Sequence, residues 1–440
     1  SFLPGFAASV DYFDIDLSGA IATITAQTIT TLCLEQNRQD LCQFITFNGP
    51  PGTSSPVTGI RLVPFNFASV KVRGIDLEAS YRFDVGGGKA ALLLGGQALR
   101  EPGLRAAARI AAHSGVKVFA EVFPTRLERG AGLPAVERIA YLAELAGVQL
   151  AGIEHLVLVD TKAPVSFFAY PGKRSYLVPE GCTVHPLSTP AQDAAASLEN
   201  LAQALGAAQT QPALQAPARP GRPRGKLTAE KVCKAVGHLL PERAIIVDEA
   251  QTSGVMLPHF TKGAPRHDVI TLTGGAIGQG LPNAVGAAIA CPDRPVLALV
   301  GDGSAMYTVQ ALWTMAREQL NVTTVVFNNK SYAILNMELQ RVGATGKGDK
   351  ARSQLDIGNP GLDFVQLAQG MGVQAVRVTT AEEFNRALEQ ALRTPGPFLI
   401  EAVVPNAYTG LKLKVLPHVL NALGSLPQPL AQAIKRKVAP

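Results

Sequence analysis

Two patterns of apolar and polar positions divide the chain. Ahead of Gly86 they alternate with period two. Phe13, Ile15 and Leu17 face away from Asp14 and Asp16, and from Gly74 to Phe83 the residues Ile75, Leu77, Ala79, Tyr81 and Phe83 oppose Asp76, Glu78, Ser80 and Arg82. Alternation of that length with an aromatic end predicts strands of the kind that build a barrel wall. The pattern changes at Gly86-Gly87-Gly88. Beyond it, apolar runs at Ala90–Leu94, Leu156–Val159, Ala244–Val247, Val296–Val300 and Thr323–Phe327 alternate with helical stretches at Leu99–Ser114, Ala191–Gly206 and Ala311–Glu318. Buried strands that alternate with helices predict parallel sheets covered on both faces.

The stretch 207–225 is rich in Pro, Ala, Gln and Arg and has no acidic residue, so an extended linker is expected. The predicted fold class is α/β: two doubly wound parallel-sheet domains, 89–206 and 226–405, with an N-terminal antiparallel β-hairpin segment over 1–88. A basic tail, 406–440, ends in Lys435-Arg436-Lys437. Its Leu413, Val415, Leu416, Val419, Leu420 and Leu423 fit a helix packed on its own domain, or else an amphipathic segment on a membrane or partner.

Composition narrows the function. Of 440 residues, 47% are hydrophobic and 17% charged, which allows a large core. The net charge of +6 is spread out, with no dense Lys/Arg block interleaved with aromatics. Nucleic-acid binding is therefore not expected. No apolar run is long enough for a helix that crosses a bilayer, and no signal peptide is evident; the chain begins with Ser, as a fragment would. A cytoplasmic location is expected for the α/β part, and a membrane location only if the N-terminal segment is functional. No two of the five cysteines form a CxxC pair, which argues against zinc. Cys33 and Cys42 flank a polar stretch that a disulfide could close, whereas Cys182, Cys233 and Cys291 read as inert thiols.

The chemistry concentrates in Val296–Ser304. A buried strand delivers Gly301-Asp302-Gly303 at its carboxyl end, the edge where open parallel sheets bind ligands. Gly301 and Gly303 allow a phosphate to approach the backbone, and Asp302 offers a hard oxygen to a divalent ion. The next strand, Thr323–Phe327, ends in Asn328-Asn329. Asp302 and Asn329 can thus share one ion whose shell a diphosphate completes. A simple turn and a strand-end Asn pair is the plainer alternative.

The stretch GDGSAMYTVQALWTMAREQLNVTTVVFNNKSY resembles the signature of thiamine-diphosphate enzymes, in the branch of acetolactate synthase and benzoylformate decarboxylase. The resemblance covers roughly 89–405. It implies a thiamine diphosphate- and Mg²⁺-dependent carbon–carbon bond lyase or ligase acting on 2-oxo acids. By position, Asp302, Asn329 and the main-chain oxygen of Ser331 would hold Mg²⁺, and Gly301, Gly303, Ser304 and Asn329 would lie on the cofactor. In Thr273-Gly-Gly-Ala-Ile-Gly-Gln-Gly-Leu-Pro282, a Gly-rich turn before a helix, the resemblance makes Ile277 the wedge beneath the cofactor and the Gly275 carbonyl an acceptor for its amino group. A core Ile beside a tight turn is the alternative. Gln251, Thr252 and Ser253 follow a buried strand near a helix start, where anions are favoured. The family uses this loop on the diphosphate; helix capping is the alternative.

The segment 90–206 resembles the family's central domain. In acetolactate synthases that domain holds FAD, and Gly95-Gly96 is compatible with a nucleotide. No complete dinucleotide fingerprint stands here, so a structural domain is expected. Lys162–Ala169 aligns with a segment where benzoylformate decarboxylases place an active-site His; Ala169 stands there, which weakens an aromatic 2-oxo acid assignment. His259 has no evident catalytic partner. The Glu that activates the cofactor lies, in the family, in a separate N-terminal pyrimidine-binding domain. Nothing in 1–85 matches it, so no catalytic residue is assigned. A partner chain or homo-oligomer supplying that domain, and a truncated or chimeric chain with impaired turnover, are expected. Instead SVDYFDIDLSGAI and PFNFASVKVRGIDLEASYRFDVG resemble the C-terminal barrel strands of TonB-dependent outer-membrane receptors. A non-catalytic cofactor-binding module and a receptor remnant are the alternative functions.

Overall fold

The structure is a computed structural model. It describes residues 6–50, 56–81, 89–170, 172–342 and 348–406, together with 418–420, 422, 426 and 431. It divides into two compact units, 1–87 and 88–440. The proposed Gly-rich junction and most of the C-terminal tail lie outside the described residues.

In the first unit, strands β1 (Phe6–Thr23) and β4 (Pro64–Tyr81) pair antiparallel from Phe6↔Tyr81 to Thr23↔Pro64. Between them lie β2 (Ile45–Phe47) and β3 (Val57–Ile60), which pair with each other, and two helices, Ala26–Leu34 and Gln39–Cys42. Cys33 and Cys42, one on each helix, form a disulfide. Ile29, Cys33, Leu41 and Ile45 make a small core beside it. The long hairpin does not carry one apolar face. Val10 and Tyr12 share a face with Ile75, yet the next pairs on that face are Asp14–Arg73 and Asp16–Lys71, joined by ion pairs of 3.0 Å. Ile15 and Val72 pair on the opposite face. Val10, Tyr12, Ile15, Val72 and Ile75 are all exposed. The sequence pattern describes each strand alone, and cross-strand register decides which apolar groups share a face.

The second unit contains two sheets. Strands β5 (Ala90–Leu94), β6 (Lys117–Ala120), β8 (Glu137–Arg138), β9 (His155–Val159) and β10 (Thr183–Ser188) are all parallel, in the order β10-β9-β5-β6-β8. The other sheet is built from β7 (Leu127–Arg129), β11 (Ala244–Glu249), β12 (His267–Ile270), β13 (Val296–Gly301), β14 (Val322–Asn328), β15 (Gln374–Val378) and β16 (Phe398–Val403), in the order β15-β16-β14-β13-β11-β12-β7. It is parallel except for β7, which comes from the central segment and adds antiparallel to β12.

The alternation of side chains explains why the central strands read as continuous apolar runs. Ile246, Leu297, Leu299, Val325 and Phe327 pack on one face, among the helices Ala229–Leu239 and Ala381–Arg393. Ile245, Val247, Val296, Ala298, Val300 and Val326 pack on the other, with the helices Gly280–Ala290, Ala311–Arg317 and Phe364–Gly370. A strand buried on both faces has no polar positions to alternate with. Helix starts follow local chemistry: Thr380 and Glu383 form a reciprocal capping box for Ala381–Arg393. The helix expected from Leu99 starts at Glu101, with Pro102 in its first turn, because proline fixes a helix entry.

The stretch 207–225 contains neither helix nor strand but is fastened along its length. Gln215 exchanges backbone bonds with Gly132 and Leu133, Ala218 N–H donates to Gly263, and Gly225 N–H donates to Glu382. Among the described residues no helix is long and apolar enough to cross a membrane.

Candidate cofactor site

Four loops meet at the carboxyl edge of the larger sheet, because β12, β11, β13 and β14 are adjacent and parallel. The loop after β13 carries Asp302, which is buried with 2% exposure. Its Oδ1 accepts the Gly303 N–H at 2.9 Å. Its Oδ2 accepts the N–H groups of Asn329 at 2.9 Å and Lys330 at 2.6 Å. One carboxylate therefore ties the ends of β13 and β14 together. Burial pushes its pKa up to about 6, against the opposing pull of those three amides.

Asn329 and Ser331 lie in the same turn. Asn329 Oδ1 accepts the Ser331 N–H at 2.9 Å, and the Ser331 hydroxyl donates to the Leu355 carbonyl and accepts from Asn336. Lys330 between them has φ +59°, the left-handed conformation that lets the chain reverse there. Gly301 ends β13, and Ser304 is buried in the turn that follows. Among the described residues no cluster of three His, Cys, Asp or Glu side chains is placed to hold a metal. The turn does offer hard oxygens, the Asp302 carboxylate, the Asn329 side-chain amide and the Ser331 main-chain carbonyl, of the type that could hold Mg²⁺ with phosphate and water completing its shell.

The loop after β11 forms a short helix, Gln251–Gly254. Gln251 has φ +47°. Ser253 is buried, while Gln251 and Thr252 are partly exposed. Strain of this sort, confined to a loop at a sheet edge, is typical of ligand sites.

The loop after β12 carries Gly275 and Ile277. Gly275 has φ +73°, and a Cβ there would lie 1.8 Å from the Phe167 ring. Glycine is thus required both by conformation and by the ring stacked on it. Ile277 is half-buried and belongs to none of the buried clusters of the described residues. Phe167 extends into an aromatic group with Phe168, Phe123 and Tyr141, at centroid distances of 5.0, 5.6 and 5.5 Å. Tyr141 in turn donates to Glu338, on the helix Ala333–Arg341 that follows the Asn329 turn.

Glu249 was not singled out from the sequence. It ends β11, is 1% exposed, and accepts three consecutive amides: Gly278 at 2.7 Å, Gln279 at 3.1 Å and Gly280 at 3.0 Å. It therefore holds the loop of Gly275 and Ile277 against the loop of Gln251–Ser253. Burial raises its pKa, and the three amides oppose the rise. The one available signal was an acidic residue closing a run of aliphatics, followed by a glycine-rich turn. His259 is exposed and packs edge-on against Phe260. Cys33 and Cys42 belong to the other unit.

Known proteins resemble the part of the chain that carries this sheet edge. Residues 249–402 match the family model of the thiamine pyrophosphate enzyme C-terminal TPP binding domain. The chain is 57% identical over 321 residues to a Mycobacterium tuberculosis protein named as an acetolactate synthase large subunit, IlvX, covering 73% of this chain and 62% of that one. It is 34% identical over 180 residues to benzoylformate decarboxylase of Pseudomonas aeruginosa, covering 40% of this chain and 32% of the relative. Among solved structures, the thiamine diphosphate-dependent 4-hydroxybenzoylformate decarboxylase of Rhodococcus jostii superposes with a TM-score of 0.58 at 26% identity, covering 72% of this chain and 61% of that one. Benzoylformate decarboxylase from Polynucleobacter necessarius shares the fold, with a TM-score of 0.59. The chain thus spans less than two thirds of the length of these relatives.

Proposed function

We propose that this chain, whose α/β part belongs to the thiamine pyrophosphate-dependent enzyme family of acetolactate synthase and benzoylformate decarboxylase type, binds the diphosphate of thiamine diphosphate through Mg²⁺. Asp302, Asn329 and the main-chain oxygen of Ser331 would hold the ion. Gln251, Thr252, Ser253, Gly301, Gly303 and Ser304 would face the diphosphate, and Gly275 and Ile277 the rest of the cofactor. The observation that supports this most is the Asp302 carboxylate tied to the amides of Asn329 and Lys330. That contact brings the carboxyl ends of β13 and β14 together.

When bound, thiamine diphosphate supplies a nucleophilic carbon for cleavage or ligation beside the carbonyl of a 2-oxo acid. The residues of this chain would bind and orient it. No group in this chain is assigned to activating the pyrimidine ring, so the complementary half-site would come from a pyrimidine-binding domain in a second chain or a longer form. Turnover by this chain alone is expected to be negligible. Steady consumption of a 2-oxo acid by the purified chain would refute that. Calorimetry with thiamine diphosphate and Mg²⁺ tests the binding assignment, wild type against Asp302→Ala. Equal binding by both would refute the metal site.

A second reading concerns residues 1–87 alone. The 18-residue antiparallel strands β1 and β4 have the length of a fragment of a barrel wall, while the split of Val10, Tyr12 and Ile75 from Ile15 and Val72 across the two faces counts against it. A chain found wholly in the soluble fraction of cells would count against it.

A further inference from the structure

The smaller sheet has its own ligand edge. β5 lies between β9 and β6, so the strand order reverses there, and the crevice at the carboxyl ends of β5 and β9 is where an open α/β sheet takes a nucleotide. The turn Gly95-Gly96-Gln97 stands at that crevice, leading into a short 3₁₀ segment, Gly96–Leu99. A pyrophosphate bound there would accept the amides of this turn.

Two of those amides are already taken. Gly95 N–H donates to the Val159 carbonyl at 3.0 Å. The Glu121 carboxyl carbon stands beside the turn, 3.0 Å from where a Cβ on Gly95 would lie. Gln97 N–H donates to Asp160 Oδ2 at 2.6 Å. Asp160 is buried and holds φ +53°, an uncommon conformation for a residue other than glycine. A Cβ on Gly96 would lie 2.1 Å from Asp160 Oδ2, so the carboxylate sits directly on the turn. Glu121 is fixed beside it by the Thr161 hydroxyl at 3.0 Å. Two of the chain's own carboxylates thus occupy the place of the phosphates, with the sign of charge that repels phosphate.

We infer that the central domain is closed to phosphate-bearing nucleotides, FAD included, because Asp160 takes the Gln97 amide that a pyrophosphate would need and Glu121 sets a second carboxylate beside the turn. The inference rests on 89–206 alone and is independent of the diphosphate site. The chain then departs here from acetolactate synthases that hold FAD.

The test uses the purified chain. Absorbance in the flavin bands of the near ultraviolet and blue, and flavin fluorescence after heat release, should show no flavin, and titration calorimetry with ADP and with FAD should show no binding. Flavin retained near one per chain, or a Kd of about 100 μM or tighter for either ligand, would overturn the inference. Two variants probe the cause: Asp160→Gly alone, and Asp160→Gly with Glu121→Gln. Both free the Gln97 amide, glycine suits the φ of +53° at position 160, and unchanged circular dichroism checks their fold. ADP affinity should rise at least about tenfold over wild type as charge is removed, measured by saturation-transfer NMR in the millimolar range. Folded variants with no rise would show that the carboxylates are not the barrier, which would overturn the inference as well.

Discussion

Replacing Asp302 by Asn should stabilise the cofactor-free protein at neutral pH and abolish Mg²⁺-dependent cofactor binding. The carboxyl titrates near 6 rather than at the ordinary 3.8 because it is buried. An acid with a raised folded-state pKa favours the folded protein while protonated, and that advantage is lost as pH rises through 6. At 1.36 kcal/mol per pH unit the gap is worth about 3 kcal/mol, borne by the wild type above pH 6. Asn carries no charge and escapes this cost. It has one acceptor oxygen where the carboxylate serves three amides, and the lost bonds cost about 1 kcal/mol. The variant should therefore gain about 2 kcal/mol at pH 8 and lose about 1 kcal/mol at pH 4. The swing of about 3 kcal/mol does not depend on the hydrogen-bond cost, which is common to both pH values. Urea denaturation of both proteins in EDTA, at half-unit steps from pH 4 to 8, measures it. A stability difference that stays flat within about 0.5 kcal/mol across that range would refute the reasoning.

Glu249→Ala leaves three amides of the Gly278–Gly280 turn without their acceptor. It should cost about 2–3 kcal/mol in denaturation and weaken thiamine diphosphate at least about tenfold by calorimetry. Gly275→Ala places a methyl group in the Phe167 ring and should abolish cofactor binding, with partial recovery in the double variant with Phe167→Ala; no recovery would mean that backbone strain, not the ring, is the obstacle. Arg341→Ala leaves Glu144 with Lys173 and Glu338 with the hydroxyls of Tyr141 and Tyr170, and should cost about 2–3 kcal/mol, measured by chemical denaturation.

The sequence showed what depends on runs and spacings. β13 and β14 read as buried strands because both of their faces are covered, and their Gly-Asp-Gly and Asn-Asn ends marked the edge at which they meet. The Cys33–Cys42 bridge was visible in the same way, from two cysteines close along the chain. Features that depend on long-range contact were not legible. Glu249 acts on backbone amides far along the chain, in the turn before another helix, and amides leave no mark in a sequence. Phe167 packs on Gly275 across more than a hundred positions. β6, β7 and β8 are too short to show a period.

The antiparallel addition of β7 to β12 has a practical meaning for the boundary between the two α/β domains. The chain crosses that boundary more than once: the strand Leu127–Arg129 leaves the central domain, closes the rim of its neighbour's sheet, and returns. Arg126 reinforces the seam by binding Asp268 on β12 at 2.7 Å. A segment cut out at the linker, from Lys226 onward, would leave the β12 rim bare, with unpaired amides and carbonyls open to any passing strand. The stretch 207–225 precedes β11 along the chain, but a piece meant to carry the larger sheet whole must bring residues 126–129 with it.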